Sequence, residues 1–233
     1  MIKVYFNLIK PRMVVMNVAV AGAVFIFASS NVVNWQAFWF MVTGLACVVA
    51  AACVFNNYAD RHIDARMERT KNRGLASGKV EPGHALVFGA VLFVLGVILL
   101  FQTNLLALGA ALVGFVTYVF VYTLLKPKSG YALYVGAVAG ATPPLVGYAA
   151  GAGTIDLMAL ALFAVLFLWQ IPHFLAIARY RFDEYTAGGV PLLVESPRDE
   201  KEKHQARKIF YFSLVFLLLF CVVLLVARVA LVA

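Results

Sequence analysis

The sequence predicts an all-α fold: a polytopic transmembrane bundle of about seven helices around a central cavity, with residues 1–233 forming a single domain. Three observations predict it. The chain is 64% hydrophobic and only 13% charged, with a mean hydropathy of +0.91, whereas soluble domains are about 45–50% apolar and about 25% charged. The apolar runs are roughly 18–25 residues long, the length an α-helix needs to cross a bilayer. They also lack the strand-like alternation of apolar and polar residues that a barrel requires, so helices satisfy the backbone.

Taken in order, Met1 to Lys10 mixes apolar and basic residues and suits the membrane interface before Pro11. The first span is expected over about Met13 to Ser30. A cleaved signal peptide is the alternative, but the run exceeds a usual signal core and no A-x-A site follows, so a retained helix is expected. The second span runs from about Trp35 to Phe55 and continues into the acidic stretch with no Gly or Pro between them. Further spans are expected over about Ala85–Phe101, Leu105–Leu125, Tyr131–Ala150, Ile155–Ala178 and Ile209–Val226. The fifth is the weakest. Pro143-Pro144 interrupts its hydrogen-bond ladder, and its glycines permit close helix packing.

The charges test this count. Eighteen of the nineteen Lys and Arg fall on one side of a seven-span arrangement, with Arg228 alone on the other. By the positive-inside rule that side is cytoplasmic, which implies a multi-pass protein of the cell inner (cytoplasmic) membrane. The net charge of +8 thus belongs to topology and lipid contact, and no nucleic-acid partner is expected. Cys47, Cys53 and Cys221 all lie in apolar runs without metal-ligand spacing, so they read as packing residues.

Acidic residues obey no inside rule, yet all but Asp156 gather on the same side. Asn56, Asp60 and Asp64 recur every four residues, so on a continuous helix their oxygens stack along one face. Two carboxylates and an amide make a hard-oxygen set of the kind Mg²⁺ accepts when it also holds phosphate. A solvated juxtamembrane helix with i,i+4 ion pairs is the alternative. A second acidic group, Asp183 and Glu184, follows span six. Carboxylates beside cations at a helix rim suit a metal and a polyphosphate anion together.

With both loops in view the chain resembles the UbiA-type intramembrane prenyltransferases. Asn56-x-x-x-Asp60-x-x-x-Asp64 matches their first motif, and Asp183 with Glu184 their second. The likeness is nearest to the protoheme IX farnesyltransferase branch. It is carried by Lys10-Pro11-Arg12, Met67-Glu68-Arg69-Thr70-Lys71-Asn72-Arg73, Tyr122 to Lys126, Gly140 to Gly147, Trp169 to Phe174 and Ala187 to Leu193, and covers about residues 8–195. His62 stands where an acidic residue is usual and Gly74 where Pro is usual, and the loop after Leu193 lacks the family's Pro. The family commonly has nine helices; seven are expected here.

The resemblance implies farnesyl transfer from farnesyl diphosphate to a vinyl group of protoheme IX (heme b), with water adding to give heme O. It implies Mg²⁺ held through Asn56, Asp60, Asp64, Asp183 and Glu184, with Asp60, Asp64 and Asp183 as the catalytic carboxylates. Arg61, Lys71, Arg73, Tyr122 and Lys126 are the candidates for the diphosphate, and His173 for the acceptor. For each cation, snorkelling to lipid phosphate is the alternative; for His173, satisfying a helix broken by Pro172 is. Two rival functions stand beside this one: prenylation of a quinone-precursor ring or chlorin, and an ion-coupled transporter or lipid-binding protein. Transporters place such charges near the midplane, whereas these sit at helix ends.

Overall fold

The computed structural model describes residues 2–30 and 32–232, with the backbone alone for residue 232. Among them the chain is helical throughout, and six helices are long and apolar enough to cross a membrane. A short amphipathic α1 (Ile2–Leu8) precedes α2 (Pro11–Ala28). Then come α3 (Trp35–Asp64), α4 (Pro82–Phe101) and α5 (Leu105–Leu125). The fifth expected span is two pieces, α6 (Ala132–Gly140) and α7 (Thr142–Ala152). They are followed by α8 (Leu157–Tyr180), the short α9 (Phe182–Ala187) and α10 (Glu200–Val232). This is a multi-pass membrane protein.

The break between α6 and α7 falls at Ala141, and Pro143 and Pro144 occupy the first turn of α7. A helix start is where a missing N–H costs nothing, so the proline pair begins a helix and does not kink one. In α8, by contrast, Pro172 is absorbed within a continuous helix. Asn34, Asn104 and Asp156 cap α3, α5 and α8 by accepting backbone N–H bonds.

Small residues set how closely these helices approach. A Cβ on Gly147 would lie 2.1 Å from the Ala21 carbonyl oxygen, and one on Gly151 would lie 2.6 Å from that of Phe25. Glycines four apart in α7 therefore press onto backbone atoms four apart in α2, the small-xxx-small contact by which helices associate in lipid. Gly96 of α4 meets α3 in the same way, at the Gly44 carbonyl. A core of Phe25, Met41, Leu45, Val48, Leu100 and Phe115 fills the space between these helices. Outward faces carry exposed Val, Leu and Phe, as a lipid-facing surface requires.

The acidic stretch continues α3 without a break to Asp64, as the uninterrupted sequence predicts. Near its end α5 changes register: Thr117–Tyr122 is π-helical, and the Thr123 hydroxyl donates to the Tyr118 carbonyl (2.8 Å). Such widened turns concentrate at functional sites, because they re-aim the side chains that follow. Here they stack Tyr118 on Tyr122 (5.3 Å between ring centroids) and turn Lys126 toward α3.

Candidate active site

The α3 motif is buried at one end of the bundle, not solvated on a rim. Asn56, Asp60 and Asp64 are only 2–4% exposed, so their charges need partners. Lys126 Nζ donates to Asp60 Oδ2 at 2.6 Å, and Arg73 Nη1 to Asp64 Oδ2 at 2.8 Å. Asn56 makes four hydrogen bonds. Its Oδ1 accepts from Lys10 Nζ (2.5 Å) and the Tyr118 hydroxyl (3.2 Å), while its Nδ2 donates to Asp60 Oδ2 and Thr123 Oγ1 (both 3.1 Å). The loop after α3 is folded back against the motif, with the Thr70 hydroxyl on the Asp64 carbonyl (3.0 Å).

Three cations thus meet two carboxylates. With Lys10, Arg73 and Lys126 against Asp60 and Asp64, the buried set carries a net positive charge, which favours a polyanion. Lys126 keeps its charge firmly: burial opposes it, but Tyr122 and Asp60 beside it hold the ammonium above the ordinary lysine value. Burial pushes the Lys10 ammonium below its ordinary value. Lys10 is also the sole non-glycine residue with positive φ (50°) among the described residues. Such a conformation costs on the order of 1–3 kcal/mol and persists where surrounding contacts enforce it; here the enforcing contact is Asn56.

Other expected residues are placed differently. Lys71 pairs with the exposed Glu68 (2.7 Å), away from the buried set. Arg61 lies over the Tyr58 ring (4.4 Å) and donates to the Tyr58 carbonyl, so its own helix holds it. The α9 segment does reach the first loop, since Glu184 accepts from both Arg69 (3.0 Å) and Arg181 (2.8 Å). Gly188 lies against Met67 and Ile63. Asp183, however, is exposed, and its hydrogen bond goes to Lys203 (3.4 Å). Among the described residues no group of three His, Cys, Asp or Glu comes together as a ready-made metal site.

Beside the motif lies a cavity of about 1030 Å³. Pockets for small ligands are about 300–1,000 Å³, so this one stands at the upper end of that range. Tyr118 and Tyr122 form its boundary with the acidic motif, Gly136, Gly140 and Pro143 one wall, and Trp169 and His173 another. The glycines of α6 leave room where side chains would intrude: a Cβ on Gly140 would lie 2.2 Å from Gln170 Oε1.

His173 does not mend a broken helix. Its Nδ1 lies 2.7 Å from Ser213 Oγ on α10, and its ring stacks on Trp169 (5.0 Å). The Ser213 hydroxyl already donates to the Phe210 carbonyl (2.6 Å). Its oxygen must therefore accept from Nδ1–H, which leaves the Nε2 lone pair without a protein partner among the described residues. Ser213 lies beyond the stretch of family likeness, which is why sequence reasoning missed it. Lys10 belongs to the Lys10-Pro11-Arg12 segment of the likeness, and nothing in that segment's sequence points to Asn56. Tyr118 and the π-helical turn left no signal beyond an aromatic run.

A model of the UbiA prenyltransferase family matches residues 15–233. The chain belongs to the UbiA prenyltransferase family. Among curated relatives, a protoheme IX farnesyltransferase of Chromohalobacter salexigens is 44% identical over 220 residues, covering 93% of this chain and 73% of that one. One of Photorhabdus laumondii is 43% identical over 195 residues, covering 83% and 66%. The chain therefore spans about two thirds of the length of the curated relatives it matches. The fold is that of UbiA structures. A homolog from Archaeoglobus fulgidus, bound to DMAPP and Mg²⁺, superposes with a TM-score of 0.72 at 13% identity, covering 98% of this chain and 85% of that one. The apo homolog from Aeropyrum pernix K1 gives 0.67 at 16% identity, covering 95% and 88%.

Proposed function

We propose that this UbiA-family protein transfers the farnesyl group of farnesyl diphosphate to a vinyl group of protoheme IX. The observation that carries the proposal is the identity of 43–44%, over 83–93% of the chain, to relatives named protoheme IX farnesyltransferase. The cavity supports it through its size and the free Nε2 of His173. Family membership speaks against the transporter reading.

The donor set suits Mg²⁺. Asp60 and Asp64 each spend one oxygen on a cation and keep the other without a hydrogen bond from the described residues. One or two carboxylates completed by substrate phosphates is the usual magnesium arrangement. Asp60 and Asp64 would hold the ion. Asn56 is already saturated and would first have to release Lys10 or Tyr118. The ion supplies Lewis-acid stabilisation of the departing diphosphate. With an ion held there, Asp60 and Asp64 would no longer need Lys126 and Arg73 as countercharges. Lys126 and Arg73, with Lys10 beside them, would then be available to the phosphate oxygens, where negative charge grows as the allylic C–O bond breaks. Asp183 and Glu184 would join only if α9 turned inward, and Lys71 and Arg61 are spectators of this step.

The apolar walls exclude water from the allylic cation, and Tyr118 and Tyr122 present their ring faces at its mouth. The vinyl carbon of the acceptor attacks farnesyl C1, and the resulting porphyrin-stabilised cation takes up water. The products are diphosphate, a proton and a hydroxyethylfarnesyl porphyrin. His173 orients the acceptor through Nε2. The eighteen Lys and Arg that fall on one side of a seven-span arrangement support a site on the cytoplasmic side of the inner membrane.

Labelled farnesyl diphosphate offered to the purified protein with Mg²⁺ and a panel of acceptors tests the proposal. Label should enter protoheme and not a quinone-precursor ring or a chlorin. Transfer to either of the latter, or to none, overturns it.

A further inference from the structure

A second chamber adjoins the large cavity. It measures about 380 Å³ and shares Tyr180, Arg181 and Tyr211 with the main cavity. Its character is polar: Lys203, His204 and Arg207 of α10 face it with Arg181, and two carboxylates, Glu184 and Glu200, line it beside them. Positions 203, 207 and 211 are four apart, so one face of α10 supplies all three.

The charges there are only partly spent. Glu184 is held between Arg69 and Arg181. Lys203 has only long, exposed contacts to Asp183 (3.4 Å) and Glu200 (3.6 Å). Arg207 has no carboxylate within ion-pair distance among the described residues and rests 5.8 Å from the centre of the Tyr211 ring. A guanidinium that is uncommitted beside an apolar cavity is a receptor for a carboxylate or phosphate.

A ladder of rings joins this chamber to His173. His173 lies 5.1 Å from Phe210, and Phe210 lies 5.7 Å from Tyr180. Along α8, His173 to Arg181 is eight residues, a rise of ~12 Å; along α10, Ser213 back to Arg207 is six, ~9 Å. A flat apolar molecule lying along the ladder from His173 therefore presents its far edge to Arg181 and Arg207. The donor diphosphate is assigned a separate set of cations, Lys10, Arg73 and Lys126, beside the α3 motif.

We propose that the chamber between α8, α9 and α10 binds the carboxylates of the acceptor, namely the propionate groups of protoheme, with Arg207 as the principal contact. This rests on the acceptor reading given above and adds the element that sets ring orientation. Held by carboxylates at one edge and by His173 at the centre, the porphyrin has a fixed edge left to meet farnesyl C1. An uncharged acceptor ring of the same size lacks that anchor.

The test is titration of the protein, followed by Soret absorbance, with protoheme and with its dimethyl ester, in wild type, Arg207→Gln and Arg207→Lys. Binding of a farnesyl diphosphate analogue serves as the folding control. Losing a hydrogen bond to a charged group at this exposed position weakens protoheme about tenfold. Arg207→Lys recovers part of that loss, and the ester binds all three proteins as weakly as protoheme binds Arg207→Gln. Equal protoheme affinity in wild type and Arg207→Gln overturns this proposal alone. So does an effect of Arg207→Gln confined to retention on vesicles of anionic lipid, which assigns the arginine to headgroups. Failure of the wild type to bind protoheme at all overturns the acceptor reading as well.

Discussion

Replacing Lys126 by Met removes the charge facing Asp60 while keeping a long apolar stem. The pair is 2.6 Å long, with side chains 14% and 4% exposed, so the screening that makes surface pairs nearly worthless does not operate. Removing one partner of a buried pair costs about 3–5 kcal/mol, chiefly by stranding the other charge. Asn56 Nδ2 still donates to Asp60 Oδ2 in the variant, which puts the loss at the lower end, about 3 kcal/mol. Adding Asp60→Asn removes the stranded charge, so the double variant should recover on the order of 2 kcal/mol of coupling. Unfolding by SDS in mixed micelles, measured on all four proteins, reads the cycle. Mg²⁺ should stabilise Lys126→Met more than wild type, because the ion replaces the lost countercharge. A single variant within about 0.5 kcal/mol of wild type, or a double variant no better than the sum of the singles, refutes the reasoning.

Other expectations follow from the same contacts. Because Lys126 is held above its unfolded value of ~10.4, its stabilisation is complete below that value and is lost only at higher pH. The stability gap between wild type and Lys126→Met should therefore be flat from about pH 6 to 9, and a slope across that range contradicts the assignment. Gly147→Ala forces a Cβ onto the Ala21 carbonyl and should cost about 1–3 kcal/mol by overpacking. Gly109→Ala, with nothing within 4 Å, should be neutral or slightly stabilising by thermal unfolding. Ser213→Ala frees the His173 tautomer and should raise KM for protoheme several-fold, with KM for farnesyl diphosphate unchanged; equal effects on both would mark Ser213 as merely structural. Asp183→Asn, at an exposed site, should leave unfolding within about 0.5 kcal/mol of wild type. A fall in kcat on that background would show that α9 turns inward during turnover.

The fold was legible because its cause is local and repeated: apolar runs of bilayer length, and charges sorted to one side. The continuity of α3 into Asp64 followed from the absence of any breaker between Phe55 and the motif. The weakness of span five followed from Pro143-Pro144, although the sequence did not say that the prolines would begin a new helix at residue 142. The site was only half legible. Spacing placed Asn56, Asp60 and Asp64 on one face, but which cation meets which carboxylate depends on how loops return. Arg73 comes back to Asp64 because Thr70 pins the turn, and Lys71, two residues earlier, points out to Glu68. Lys10 reaches Asn56 only through a left-handed backbone that no propensity predicts. Adjacent residues Asp183 and Glu184 diverge because neighbouring positions on a helix are about 100° apart, so only Glu184 faces Arg69.

In the proposed function Asp60 and Asp64 are the groups that would hold the metal of a metal-bound diphosphate. Calorimetric titration with an unreactive thiodiphosphate analogue of the donor, with and without Mg²⁺, measures this in wild type, Asp60→Asn and Asp64→Asn. Tight binding in wild type that needs Mg²⁺, and that falls to the metal-free level in both variants, is the predicted result. Binding that ignores Mg²⁺, or keeps its full magnesium dependence once both carboxylates are gone, contradicts it.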